Sequence, residues 1–172
     1  YNHTGPDEAS KEAFAGFLAE RGLQLALFTV EHADYIWNAI YRQALAEGDS
    51  EHIERIGSAY LEQLDAAFAF AESLSLETFG REIPQVFLIH TNSINAAYLD
   101  TMLVRLEERG YKFVPLAEAQ TDSAYSTTDT YVRKTGVSWL HRWRSSLGLG
   151  SRLRDEPDLP EWVSQDYKHS KK

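Results

Sequence analysis

Apolar residues recur along this chain with two spacings. Between residues 34 and 47, Ile36, Ala39, Ile40 and Ala44 stand three or four apart, and between 50 and 76 the set Ile53, Ile56, Tyr60, Leu64, Ala67, Ala71 and Leu74 keeps the same rhythm. That is the period of an amphipathic helix. Gly48-Asp49-Ser50 separates the two stretches as stop and cap. Residues 95–109 repeat the pattern with Leu99, Met102, Leu103 and Leu106, closed by Gly110. Near the start, Thr4-Gly5-Pro6-Asp7 opens a helix that Thr4 is placed to cap, with Ala13, Phe14, Phe17 and Leu18 as its stripe and Gly22 as its end.

The second spacing is none at all. Residues 23–30 carry only Gln24 and Thr29 among apolar neighbours, and shorter apolar runs occupy 85–89 and 111–114. Runs of this kind read as strands buried on both faces, the mark of a parallel sheet covered by helices. The order helix, strand, helix pair, strand, helix, strand predicts an α/β fold with parallel strands and flanking helices. A complete parallel barrel takes roughly 250 residues. Three apolar strands therefore predict further strands, from a segment ahead of Tyr1, from a partner or by self-association.

Beyond residue 121 the regularity fails. Ser, Thr and Asp dominate to Thr130, a Trp-bearing stretch at 138–147 reads as helix, and 148–172 holds Pro, Lys and Asp without a period. The expected organisation is one domain over 1–147 and a loose tail over 148–172.

Composition narrows the partners. A net charge of −9 leaves no broad cationic surface for a phosphate backbone, so nucleic acid is not expected. No run reaches the roughly 18 apolar residues of a membrane span. With no cysteine, thiolate chemistry and Cys-based zinc sites are excluded. The residues begin at Tyr1 without a charged-then-apolar leader, so a native N-terminus and any targeting signal are expected ahead of them.

In parallel α/β folds the reacting groups stand just beyond the C-terminal ends of strands. Two places meet that rule: Glu31-His32-Ala33-Asp34-Tyr35 after residues 23–30, and His90 after residues 85–89. If those strands are neighbours, Asp34 and His90 come within reach, and a carboxylate beside an imidazole makes a natural general acid. Two plainer uses stand beside this one, a structural hydrogen bond for His90 and a helix cap for Asp34. His32 reads as an exposed loop residue and His52 as solvated on the polar side of its helix. Trp37, Trp139 and Trp143 could offer stacking faces to sugar rings, although helical spacing favours packing.

Phe87-Leu88-Ile89-His90 resembles the strand-and-histidine motif of NodB-type polysaccharide deacetylases, and Glu31-His32-Ala33-Asp34-Tyr35 resembles their aspartate-aromatic motif one strand earlier. Tyr1-Asn2-His3-Thr4-Gly5 is similar to the end of a third motif, and the match runs on through Phe79-Gly80-Arg81-Glu82-Ile83-Pro84 to Ser138-Trp139-Leu140-His141-Arg142-Trp143. Tyr35 stands where many members carry Trp, and Glu31 where Asp is common.

The resemblance implies the later strands of a distorted (β/α) barrel and the removal of N- or O-linked acetyl groups from a glycan. It implies a divalent metal, usually zinc, held by an Asp and two His that are expected upstream, with no metal ligand in this chain. His90 would be the general acid and Asp34 its orienting carboxylate. Leu88 would wall the acetyl-methyl pocket with Tyr35 beside the substrate, and the Tyr1 N–H would meet the oxyanion. A secreted or periplasmic location goes with the family, and this chain alone would be inactive. The alternative is a catalytically silent module that binds glycan or a protein partner.

Overall fold

The structure, a computed structural model, describes residues 4–170. Among them stand seven α-helices and two short 3-10 turns, with no sheet. The helices are α1 (Glu8–Glu20), α2 (Asp34–Glu47), α3 (Ser50–Phe79), α4 (Ser93–Glu108), α5 (Leu116–Ala119), α6 (Trp139–Ser146) and α7 (Glu161–His169). The chain divides into two compact units, one of Tyr1–Val30, Ala71–Phe87 and Val114–Asp155, the other of Glu31–Phe70, Leu88–Phe113 and Glu156–Lys172.

The parallel-stranded (β/α) barrel is overturned by this helical structure. Of the expected strands, only Val30 and Phe87 form a parallel bridge. Its neighbours show why the ladder stops after one rung. The N–H groups of Thr29 and Val30 converge on the single Val86 carbonyl, at 2.8 and 3.1 Å, and the Val86 N–H goes to the Thr29 hydroxyl at 2.8 Å instead of to a main-chain carbonyl. Regular pairing needs each N–H to find a separate acceptor along the partner.

Two of the apolar runs, 23–30 and 111–114, begin as helix ends. The Leu23 N–H reaches back to the Leu18 carbonyl and the Tyr111 N–H to the Leu106 carbonyl, both at 2.9 Å. Gly22 and Gly110 turn the chain in the left-handed region between them, at φ 62° and 97°. This is the Schellman ending of a helix. Residues 112–118 then run exposed.

The unit holding Asp34 and His90 is built around α2, which packs against α4 and α7. Trp37, Ile40, Tyr41 and Ala44 of α2 are buried, as are Ile56, Tyr60 and Leu64 of α3, Ile94, Met102 and Leu106 of α4 and Val163 of α7. The three- and four-residue spacing of these positions puts each set on one helix face. Asp49 caps α3 by accepting from the His52 N–H at 3.0 Å. The expected loose tail over 148–172 carries, in its described part to residue 170, a 3-10 turn (Leu153–Asp155) and α7, whose Val163 is fully buried.

In the other unit, α6 carries the core. Trp139, Leu140 and Trp143 are buried, and the Trp143 ring meets the Phe79 and Tyr125 rings edge-on at 5.8 and 5.1 Å. Arg142, 0% exposed, is matched by the Asp129 carboxylate at 3.1 Å and lies 4.1 Å above the Trp139 ring. Trp37, Trp139 and Trp143 are all core residues. The helix α1 is capped by Asp7, which accepts from the Ser10 N–H at 2.8 Å, rather than by Thr4. The expected stripe of α1 is not buried.

Gly57 on α3 lies against Tyr98 of α4, and a Cβ there would overlap the tyrosine ring. Overpacking costs about 1–3 kcal/mol, against about 1 kcal/mol that alanine gains over glycine inside a helix. Gly57→Ala is expected to lower unfolding stability by about 1 kcal/mol in urea titration. In a Tyr98→Leu background the same change should raise it, and a loss of equal size in both backgrounds would refute the contact.

Candidate functional site

Asp34 opens α2 and His90 lies three residues before α4, so the site is assembled by the starts of two helices. The residue ahead of Asp34 is Ala33, in the left-handed region at φ 53° and ψ 40°. A non-glycine residue there costs roughly 1–2 kcal/mol. This turn takes the chain from buried His32 into a helix whose first carboxylate faces inward. A carboxylate in the first turn also suits the positive end of the helix dipole.

Asp34 is 3% exposed, and its two oxygens are used differently. Oδ1 meets His90 Nδ1 at 2.7 Å. Oδ2 accepts from the His90 backbone N–H at 2.7 Å, from Asn92 Nδ2 at 3.2 Å and from Asn95 Nδ2 at 2.5 Å. A carboxylate only accepts, so the imidazole proton sits on Nδ1. The His90 side chain is 59% exposed, with its other nitrogen free of the carboxylate. The pair is therefore a buried acceptor behind an accessible ring, the arrangement in which an imidazole exchanges protons with something outside the protein.

Around the pair, Asn92 caps α4 by accepting from the Asn95 N–H at 3.0 Å. Asn38 of α2 accepts from the Ser93 and Ile94 N–H groups at 3.0 and 3.3 Å, which ties the start of α4 to α2. Tyr60 of α3 hydrogen-bonds Asn95 through its hydroxyl. Burial pushes the Tyr60 hydroxyl far above its ordinary range, helped by the nearby Asp34 charge, so it keeps its proton.

The sequence-selected residues fall unevenly. Asp34 and His90 touch. Leu88 lies two residues before His90 and is half-buried. Tyr35 is 55% exposed and meets the Tyr167 ring edge-on at 6.3 Å. Tyr1, expected to supply a backbone donor, lies outside the described residues. His32 is not an exposed loop residue: it is 4% exposed and stacks on Tyr60 at 4.7 Å. His52 lies 3.4 Å from Asp166. Asn92, Asn95 and Tyr60 escaped sequence reasoning, although Asn92 three residues before Asn95 is a recognisable cap signal.

Among the described residues no group of three or more His, Asp or Glu side chains is arranged to hold a metal ion. His90 Nδ1 is committed to Asp34, so the pair offers one nitrogen at most. The resemblance sets the metal's ligands upstream of these residues, not among them. A cavity of about 260 Å³ lies elsewhere in this unit, lined by Glu47, Asp49, His52 and Asp166 among others, and neither Asp34 nor His90 is in its wall. No helix among the described residues is long and apolar enough to cross a membrane.

No protein-family model, curated protein or solved structure matches this chain.

Burial drives the His32 imidazole down from its ordinary 6.5 to about 4, opposed by the Asp34 charge. Between those values the unfolded chain binds a proton that the folded chain refuses, so stability is lost as pH falls from 6.5 and the loss is complete below 4. The lost contribution is about 3 kcal/mol. Urea unfolding at several pH values in that window should show a steeper decline for the parent than for His32→Gln. Parallel curves would place His32 in water.

Proposed function

We propose that the Asp34–His90 pair is the proton-donating half of a hydrolytic site that removes acetyl groups from a glycan. The observation that carries this reading is the 2.7 Å contact between a buried carboxylate and an exposed imidazole. Asp34 orients the ring through its Nδ1. As the tetrahedral intermediate collapses, the proton on the outer nitrogen, Nε2, passes to the leaving amine nitrogen or sugar oxygen. The bond from that atom to the acetyl carbon breaks, acetate departs with the oxygen of water, and a solvent proton restores the ring.

Two further features support the assignment. The residues around Asp34 and His90 resemble motifs of the NodB-type deacetylases, in the same order and at compatible spacing. The His90 side chain is also 59% exposed, within reach of a polymer. Activation of water falls to groups other than this pair. The described donor set favours a second reading, a module that binds glycan without cleaving it, because nothing in it gathers a metal.

Acetate release from N-acetylglucosamine oligomers and from O-acetylated xylan, measured on the polypeptide as its gene encodes it, separates the two. The deacetylase reading expects release, reduced on the order of 10²–10⁴-fold in His90→Gln, with Asp34→Asn impaired in the same step. His90→Gln as active as the parent would remove the acid role. Glycan binding without any acetate release from the parent would assign the binding module.

A further inference from the structure

We propose that Asn95 is a positioning residue for the Asp34–His90 pair, with the Tyr60 hydroxyl anchoring its amide oxygen; its catalytic consequence rests on the reading of His90 as a proton donor. Asn95 is buried in the first turn of α4 and its side-chain amide is fully used. Nδ2 donates to Asp34 Oδ2 at 2.5 Å and to the His90 carbonyl at 2.8 Å, and Oδ1 accepts from the Tyr60 hydroxyl. Reversing the amide would aim its oxygen at a carboxylate and a carbonyl, two groups that only accept. One orientation therefore survives.

The hydroxyl that completes this amide is itself fixed. The Tyr60 ring is fully buried, stacked on His32 at 4.7 Å and set against Trp37 and Tyr98 at 5.8 and 6.3 Å. Constraint thus passes from an aromatic cluster to a hydroxyl, an amide, a carboxylate and an imidazole. With three N–H groups from residues 90, 92 and 95 on Oδ2, Oδ1 is left for the ring. The ring proton is held on Nδ1, and Nε2 is presented outward. The bond from Asn95 to the His90 carbonyl also fixes the backbone from which the ring projects, so a single side chain sets both members of the pair.

Long-range ¹⁵N–¹H correlation of the histidine rings reads this without substrate. In the parent, His90 is expected as the Nδ1–H tautomer with a slowly exchanging ring proton. In Asn95→Leu the tautomer should shift to a mixture rich in Nε2–H, with ring-proton exchange faster by about tenfold or more as a charge-assisted hydrogen bond is lost. Tyr60→Phe should move both signals the same way by less. A folded Asn95→Leu protein with the parent's tautomer and exchange rate overturns the proposal. If that variant does not fold, Tyr60→Phe decides, and unchanged His90 signals overturn it. Absence of acetate release from the parent would remove the proposed activity and leave the tautomer result standing, so the two ideas fail separately.

Discussion

A carboxylate taken out of water has to be met by donors, and Asp34 is the place where this unit of the protein answers that demand. Leaving such a group unpaired costs several kcal/mol, so its partners cannot be optional. They come from the backbone at His90, the side-chain amides of Asn92 and Asn95, and the His90 ring. The starts of α2 and α4 are brought together for this reason, and Asn38 secures the meeting from the other side. The strained backbone at Ala33 is part of the same requirement, because it turns Asp34 inward at the first residue of α2.

Charge burial also organises the other unit, with a different outcome. Arg142 and Arg144 of α6 are buried beside Asp129 and Glu77, and Arg142 adds a ring contact with Trp139. Its guanidinium serves the Val137 carbonyl, Asp129 and Thr4. The same chemistry therefore closes a core in one unit and, at His90, leaves a ring facing solvent. Exposure of one partner separates a structural ion pair from a site.

The helices were legible because their information is local. The apolar spacing from 34 to 47 and from 50 to 76, and the glycines that end helices, require nothing from distant residues. The strands were not legible for the opposite reason. A run such as 23–30 states that a segment is apolar, whereas a strand exists only when another backbone offers matching donors and acceptors, and Val86 offers one carbonyl to two N–H groups. The association of Asp34 with His90 was inferred from a sheet that is absent among the described residues, yet the two groups meet at helix starts. Asn95 and Tyr60 were hidden because an asparagine and a tyrosine on helices carry no signal of their partners. His32 was misread because burial of a loop residue depends on what the rest of the chain lays over it.

The central claim is that Asp34 holds a ready proton-exchanging nitrogen of His90 at the surface. Carbethoxylation by diethyl pyrocarbonate, followed residue by residue by mass spectrometry, probes that nitrogen directly, since only an accessible, unprotonated ring nitrogen reacts. The account requires His90 to react much faster than buried His32, and Asp34→Asn to slow His90 by releasing the proton from Nδ1 to the outer nitrogen. A His90 rate equal to that of His32, or unchanged by Asp34→Asn, would contradict it.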